Sequence, residues 1–188
     1  FAIPREATLL LYVGRLAQEK NTATLFAAFR ILARQQPGRF HLLVVGDGTQ
    51  RPELHSLVTD HHSQITHLPY CESASQLAAL YRAADLFVHP GVQETFGLVT
   101  LEAQACGRPV VALARGGALE TVVDGETGVL FHELTAQSLG AALEQVAGLR
   151  IDSGRLRAHA EDFSRERHVA QLRETIADTM TAPAGTEW

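Results

Sequence analysis

The sequence predicts one α/β domain with a doubly wound parallel sheet, and three observations support that prediction. Short runs rich in Val and Leu alternate with stretches of helical period, in the order strand, helix, strand, helix. The strand runs are short and rich in Val and Leu, as strands buried on both faces are. The 188 residues, 46% of them hydrophobic and 20% charged, fit a single domain with a sizeable core.

Six strands are expected, each bounded by turn residues or by a helical stretch. They occupy residues 8–13, 40–45, 65–68, 86–89, 110–114 and 128–131. If the strands adopt the doubly wound order 3-2-1-4-5-6, the first and fourth strands are neighbours, and their helices leave toward opposite faces of the sheet. The loops after these two strands then border one crevice.

Helices are expected between the strands. Asn21 is a candidate N-cap for a helix whose apolar stripe is Leu25, Phe29 and Leu32. Further helices are expected over residues 51–59, 75–84 and 97–105, and Gly107 is expected to end the last of these.

The chain is predicted to be helical from Ala136 onward. One stripe is formed by Leu139, Leu143 and Val146, and a final helix that begins at Ser164 has a second stripe of Val169, Leu172 and Ile176. The domain is expected to span residues 1–180. Residues 181–188 are expected to form a frayed tail, because they contain Pro and Gly at a terminus.

Charge and cysteine content narrow the possible partners. Sixteen basic and 21 acidic residues give a net charge of −5, which disfavours nucleic acid as a partner. Cys71 and Cys106 are expected to be buried free thiols, which favours a reducing, cytoplasmic compartment. The absence of an initiator Met before Phe1 suggests a piece of a longer protein.

Two cations follow the first strand. Gly14-Arg15-Leu16 ends it, and Lys20 precedes the next helix. An Arg can hold a phosphate through two parallel N–H donors and a Lys adds a point charge, so the pair suits a diphosphate. The alternative is that both are solvated loop charges.

The loop after the fourth strand presents carboxylates beside a helix N-terminus. Gly91 and Glu94 precede this helix, and Glu102 lies within it. Unpaired amides at Phe96, Gly97 and Leu98 would favour hydroxyl or phosphate oxygens, and carboxylates accept from sugar hydroxyls. The alternative is a solvated loop acid and an exposed helical Glu.

Other chemistries find no support in the sequence. There is no P-loop, no nucleophile elbow and no Asp-x-Asp pair, and the nine His residues lack metal-ligand spacing. Gly46-Asp47-Gly48 is expected to form a tight turn near a ligand. A diphosphate ligand would therefore depend on Arg15 and Lys20, without a metal cofactor.

Five motifs together resemble the retaining family 4 (group 1) glycosyltransferases, specifically the C-terminal, nucleotide-sugar-binding, Rossmann-like domain of their GT-B fold. They are YVGRLAQEKN at 12–21, VVGDG at 44–48, HPGVQETFGLVTLEA at 89–103, PVVA at 109–112 and GGALE at 116–120. The resemblance runs from about Leu9 to Ile176. Each motif alone is weak, whereas all five in this order are specific.

The resemblance implies roles for these residues. Arg15 and Lys20 would hold the donor diphosphate and stabilise the leaving nucleotide, with Glu94 as the third catalytic residue. Glu94 and the Phe96–Leu98 amides would hold the donor sugar, and Glu102 the ribose. No protein nucleophile is assigned, and a front-face displacement is expected. The implied donor site comprises Gly14, Arg15, Lys20, Gly46, Tyr70, Cys71, Glu94, Thr95, Phe96, Gly97, Leu98 and Glu102.

The resemblance also implies partners. These are a nucleotide-diphosphate sugar (GDP-mannose or a UDP-sugar), a glycan or lipid acceptor as in polysaccharide biosynthesis, and an N-terminal acceptor domain absent from these residues. Such a domain alone would bind the donor and transfer little, and any contact with the inner face of the membrane would be made by the missing half. The sequence departs from the family pattern at two positions: Pro69 stands where the family often has Gly, and Gly91 stands where it often has Ser. A non-catalytic nucleotide-sugar-binding module and a sugar-nucleotide isomerase remain alternatives.

Overall fold

The computed structural model describes residues 3–93 and 95–181. Within them the strands are β1 (Thr8–Val13), β2 (Phe40–Val45), β3 (Ile65–Leu68), β4 (Leu86–His89), β5 (Val110–Leu113) and β6 (Gly128–Phe131). The helices are α1 (Thr22–Gln35), α2 (Arg51–His61), α3 (Ala74–Ala83), α4 (Leu98–Ala105), α5 (Ala118–Thr121), α6 (Ala136–Gly148), α7 (Ser153–Glu161) and α8 (Arg165–Thr181). Short 3-10 turns occupy Gln18–Lys20 and His62–Gln64.

The strands form one parallel sheet in the order β3-β2-β1-β4-β5-β6. The predicted doubly wound α/β class and strand order are therefore confirmed. Strand limits agree with prediction except in β5, which ends one residue early at Leu113. Because β1 lies between β2 and β4, the order reverses beside β1, and a crevice opens there at the carboxyl ends of the strands.

Both faces of the sheet are covered, which explains why apolar residues predominate in the strands. Leu10 and Leu42 face the layer made by α1, α2 and α6. Leu11 and Leu43 face the opposite layer, to which α3, α4 and α5 contribute. Since successive side chains of a strand point to opposite faces, most strand positions hold an apolar residue, with His41 of β2 and His89 of β4 as buried polar exceptions.

Two helical predictions need correction. Asn21 does precede α1, but it lies in the left-handed region at φ 52° and its side chain makes no capping hydrogen bond. The helical stretch predicted from Ala136 onward is interrupted at residues 149–152, and the separate helix α7 that follows has one buried residue, Leu156, and no apolar stripe. Asp152 caps α7 by accepting a hydrogen bond from the Arg155 amide at 2.8 Å.

Helix α8 begins at Arg165, one residue after the predicted start, and none of its residues is buried. Its predicted stripe of Val169, Leu172 and Ile176 is exposed. Thr181, predicted to belong to the tail, is the last residue of this helix, and residues 182–188 lie outside the described part.

Two further expectations concern the thiols and the membrane. Cys71 and Cys106 are free, but each is half-buried rather than buried. In the ranges that the structure describes, no helix combines the length and the apolar character needed to cross a bilayer.

Candidate functional site

The loop after β1 is tied to the loop after β2 by main-chain hydrogen bonds. The Gly14 amide donates to the Val45 carbonyl at 3.0 Å, and the Leu16 amide donates to the Asp47 carbonyl at 3.0 Å. A Cβ atom at Gly46 would lie 2.0 Å from the Gly14 carbonyl oxygen. Gly46 is therefore required because two main chains touch at this point.

Arg15 projects from this tied loop into solvent. Its side chain is 73% exposed and forms an ion pair with Glu19, four residues later, at 2.8 Å. An exposed pair of this kind contributes little to stability, so an incoming anion can replace the carboxylate at low cost. Lys20, which ends the 3-10 turn, is half-buried and is the single lysine of the sequence.

The loops after β1 and β4 are in direct contact. The Asn21 side-chain amide donates to the Pro90 carbonyl at 3.1 Å, and the Val92 amide donates to the Glu19 carbonyl at 3.3 Å. A Cβ atom at Gly91 would lie 3.8 Å from the Lys20 Cα atom. The structure therefore brings the loop of the two cations against the loop that leads to α4. Beside this contact lies a cavity of about 470 Å³, lined by Gln18, Glu19, Asn21, Val92, Gln93 and Leu134.

Buried hydroxyl groups of Thr100 and Thr121 stabilise the start of α4. Gly97 precedes the helix at φ 85°, where a side chain would be strained. The Thr100 hydroxyl donates to the Gly97 carbonyl at 2.6 Å and lies 2.7 Å from the Thr121 hydroxyl of α5. A Cβ atom at Gly117 would lie 2.4 Å from the Phe96 carbonyl carbon, so the loop after β5 supports the start of α4.

The amides at the start of α4 form a candidate anion site. The first amides of any helix find no acceptor inside it, and they point along the axis with partial positive charge. Here α4 starts at the same edge of the sheet as the loop that holds Arg15 and Lys20. This arrangement can bind a ligand that combines phosphate and hydroxyl groups.

Glu102 lies on the second turn of α4 with an exposed side chain, and the buried Tyr81 of α3 donates a hydrogen bond to its Oε2 atom at 3.1 Å. Burial, followed by the charge of Glu102, raises the pKa of Tyr81 far above its usual value, so the hydroxyl stays protonated. In the sequence, Tyr81 lies in the helix predicted over residues 75–84 and has no assigned role. A buried tyrosine hydroxyl needs a partner, but nothing local indicates a partner 21 residues away.

Two further predicted donor-site residues lie farther along the same edge. Tyr70 and Cys71 follow β3, which is separated from β1 by β2. Tyr70 is strongly exposed, and the Cys71 thiol donates toward the Ser73 carbonyl and Gln76 Oε1, both at 3.5 Å. Tyr70 and Cys71 therefore lie at the same edge of the sheet as Arg15, but two strands away from its loop.

Comparison with known proteins identifies the family. A family model described as Glycosyl transferases group 1 matches residues 1–165. The chain belongs to this family. It is 34% identical over 189 residues to the D-inositol 3-phosphate glycosyltransferase of Corynebacterium aurimucosum, covering 95% of this chain and 45% of that protein. The protein of the same name from Thermomonospora curvata is 37% identical over 200 residues, covering 97% of this chain and 46% of that protein.

Solved structures agree with a glycosyl transferases group 1 domain. Sucrose-phosphate synthase from Thermosynechococcus elongatus matches with a TM-score of 0.78 and 30% identity, over 96% of this chain and 47% of that one. Anabaena HepE in complex with UDP-glucose matches with a TM-score of 0.70 and 28% identity, over 93% of this chain and 49% of that one. The chain spans about half the length of the relatives it matches.

The residues predicted to hold the donor sugar lie at and before the start of α4. Glu94, predicted to hold the donor sugar, lies outside the described residues. Its neighbours Thr95, Phe96 and Leu98 are exposed. The Phe96 ring meets the Phe163 ring edge-on at 6.0 Å. A groove of about 610 Å³ runs between Phe96 and Leu98 on one side and residues of the α7–α8 junction on the other.

Metal independence of this group 1 domain remains a prediction. Across residues 3–93 and 95–181, no cluster of three or more His, Cys, Asp or Glu side chains could hold a metal ion. The groups predicted to offset the charge of a diphosphate are Arg15, Lys20 and the α4 amides.

Proposed function

We propose that this chain is the donor-binding domain of a retaining glycosyltransferase, which binds a nucleoside-diphosphate sugar and no metal cofactor. The observation that carries the proposal is the contact between the Arg15–Lys20 loop and the loop that leads to α4, made where the strand order reverses. At such a point an open α/β sheet offers a crevice for a nucleotide. Membership of the glycosyl transferases group 1 family supports a transferase over the two alternatives.

Relatives suggest the chemical class of the substrates. HepE, at 28% identity, was solved with UDP-glucose. The names of the curated relatives refer to D-inositol 3-phosphate, which makes a phosphorylated polyol a candidate acceptor beside a glycan or lipid. A UDP-sugar or GDP-mannose is the proposed donor, since Arg15 and Lys20 recognise the diphosphate that both share.

In the proposed reaction the bond between the anomeric carbon and the diphosphate oxygen breaks. The acceptor hydroxyl oxygen forms the new bond on the same face of the sugar, and its proton passes to the departing diphosphate oxygen. Arg15 exchanges Glu19 for the diphosphate, and with Lys20 it stabilises the negative charge that develops there. Glu94 and the amides of Phe96, Gly97 and Leu98 hold the sugar, while Glu102 accepts from the ribose.

The acceptor would be held by a part of the protein outside these residues. The relatives are about twice as long as this chain, and the apolar side chains of α8 have no cover within the described residues. A 17-residue helix without buried side chains is marginal in isolation. We therefore expect this chain alone to bind donor and to transfer little sugar.

Calorimetric titration of the chain with UDP, GDP, UDP-glucose and GDP-mannose tests the proposal. At least one nucleotide is expected to bind, and Arg15→Ala and Lys20→Ala are each expected to weaken it at least about tenfold, because each removes charge-assisted hydrogen bonds. Arg34→Ala, an exposed change on α1, is the matched control and should leave affinity unchanged. Unaltered affinity in both cleft variants would overturn the proposal. Binding without transfer by a longer protein that contains this chain would favour the non-catalytic module.

The single lysine allows an independent measurement. An amine-directed reagent can modify only Lys20 and the α-amino group, which peptide mapping separates. Bound UDP or GDP is expected to slow modification of Lys20 and to leave the α-amino rate unchanged. Equal rates with and without saturating nucleotide would exclude Lys20 from the site.

A further inference from the structure

Tyr81 lies between α3 and α4 with its hydroxyl directed at α4. The residue is 1% exposed, and its hydroxyl lies 3.1 Å from Glu102 Oε2 and 3.4 Å from the Val99 carbonyl oxygen. A phenol has one proton to donate, and a carboxylate is a stronger acceptor than an amide carbonyl. Tyr81 therefore donates to Glu102.

The Tyr81 ring is held in place by its neighbours. It packs against the Phe87 ring of β4 at a centroid distance of 5.4 Å and an interplanar angle of 61°. Both rings are fully buried in the core layer on this face of the sheet. The donated hydrogen bond thus comes from a rigid group. The hydroxyl keeps its proton because the pKa of Tyr81 is raised above its usual value.

Apart from this hydrogen bond, Glu102 is an exposed residue of α4, the helix that starts beside the Arg15–Lys20 loop. With Oε2 engaged by Tyr81, Oε1 remains available to accept from a ligand. An untethered glutamate would lose rotamer freedom when a ligand ordered it, and a tethered one has lost that freedom already. The hydrogen bond therefore pre-organises the carboxylate.

We infer that Tyr81 is a positioning residue, which fixes the Glu102 carboxylate for the ribose hydroxyls of the nucleotide and so sets the preference for ribose over 2′-deoxyribose. The inference rests on the proposed function, because it takes a nucleotide to be the ligand. A site built to accept from a hydroxyl discriminates against the analogue that lacks it, since the acceptor then loses its partner. That discrimination requires the acceptor to be fixed in place.

The test compares the affinities of UDP and 2′-deoxy-UDP, and of GDP and 2′-deoxy-GDP, by calorimetry. The unaltered chain is expected to prefer the ribonucleotide about tenfold or more, the effect of one charge-assisted hydrogen bond. Tyr81→Phe should bring the ratio close to one by weakening the ribonucleotide, with little change for the deoxynucleotide. A purely structural role for Tyr81 would weaken both nucleotides equally.

Two further variants guard against misfolding of Tyr81→Phe. Glu102→Asp keeps the charge but withdraws it by one methylene from the Tyr81 hydroxyl, so it should also lose the ribose preference. Adding Tyr81→Phe to Glu102→Gln should not reduce the preference further, because the two side chains act as one unit.

Thr127→Val is the matched control. Thr127 is buried, and its hydroxyl accepts from the Val123 amide at 2.9 Å in the turn that enters β6, at the opposite edge of the sheet. This variant should lose stability and keep the ribose preference of the unaltered chain.

The outcomes separate the inference from the proposed function. If the unaltered chain binds none of the four nucleotides, both are overturned. If it binds ribonucleotides with the expected preference and Tyr81→Phe keeps that preference, only the positioning role is overturned. If the unaltered chain binds ribo- and deoxynucleotides equally, the ribose contact of Glu102 is wrong and the diphosphate contacts stand.

Discussion

Helix α6 packs against the sheet along one face, whereas α8 has all of its residues outside the core. Both have apolar side chains at helical spacing. In α6, Leu139 and Leu143 are 0% exposed, while Leu172 of α8 is 51% exposed. Periodicity therefore shows which face of a helix is apolar, but not whether a partner lies within the same stretch of chain.

Helix α7 is intermediate between α6 and α8 in the number of side chains that it buries. It packs on α4, buries the single apolar residue Leu156, and adds a polar contact between His159 and the buried Gln104. The number of buried side chains thus decreases from α6 to α7 to α8. The loss of stability caused by substitutions in these helices should decrease in the same order.

The largest effect is expected for Leu143→Ala in α6. It removes a fully buried side chain and leaves a cavity, which typically lowers the free energy of unfolding by about 2–5 kcal/mol. The same change at Leu172 of α8 should cost less than about 0.5 kcal/mol in this chain, because little area is lost from contact. Urea denaturation of both variants measures the difference. Equal losses would contradict the contrast between α6 and α8.

A smaller effect is expected for Gln104→Leu, which breaks the contact of α7 with α4. The Gln104 side-chain amide donates to the Thr121 carbonyl at 2.7 Å, and its oxygen lies 2.7 Å from His159 Nδ1. Leu would leave that carbonyl without its partner, at a cost of about 1–3 kcal/mol by urea denaturation. His159→Ala should cost less, because it leaves the Thr121 contact intact. A larger loss for His159→Ala would contradict this view of α7.

A third effect is expected from acidification, and it should be confined to the packed part of the molecule. Burial lowers the pKa of His41 in β2 below the value of 6.5 that it has when unfolded. Below pH 6.5 the unfolded chain therefore binds more protons than the folded one. As the pH is lowered, this group decreases the free energy of unfolding by at most about 1.4 kcal/mol per pH unit.

Urea denaturation at pH 7.5 and pH 5 measures this dependence. His41→Gln should lose less stability between the two values than the unaltered chain does. His168→Asn, on the exposed helix α8, is the control and should behave like the unaltered chain. An unchanged pH dependence in His41→Gln would rule out His41 as the source.

Much of the fold could be predicted because strands buried on both faces are rich in Val and Leu. Five of the six predicted strands have the observed limits, and the sixth differs by one residue. The doubly wound order then placed the Arg15–Lys20 loop beside the loop that leads to α4. Residue types and strand order were sufficient for this part of the site.

The remaining features depend on contacts between distant residues. The Asn21 side chain was expected to cap α1, but it donates instead to Pro90, 69 positions later. The hydrogen bond between Tyr81 and Glu102 joins two helices, and neither helix contains a local signal for it. Helix α7 lacks an apolar stripe because a single leucine and a polar contact attach it.

The glycines beneath the cleft have a consequence for engineering. Gly46 and Gly117 lie against neighbouring main chain at distances that exclude even a methyl group, so this part of the cleft is shaped by backbone alone. Substitutions there cannot reshape the pocket without displacing strands. Libraries intended to change substrate preference should therefore vary the exposed rim, at positions such as Tyr70, Gln93 and Leu98, and keep these glycines constant.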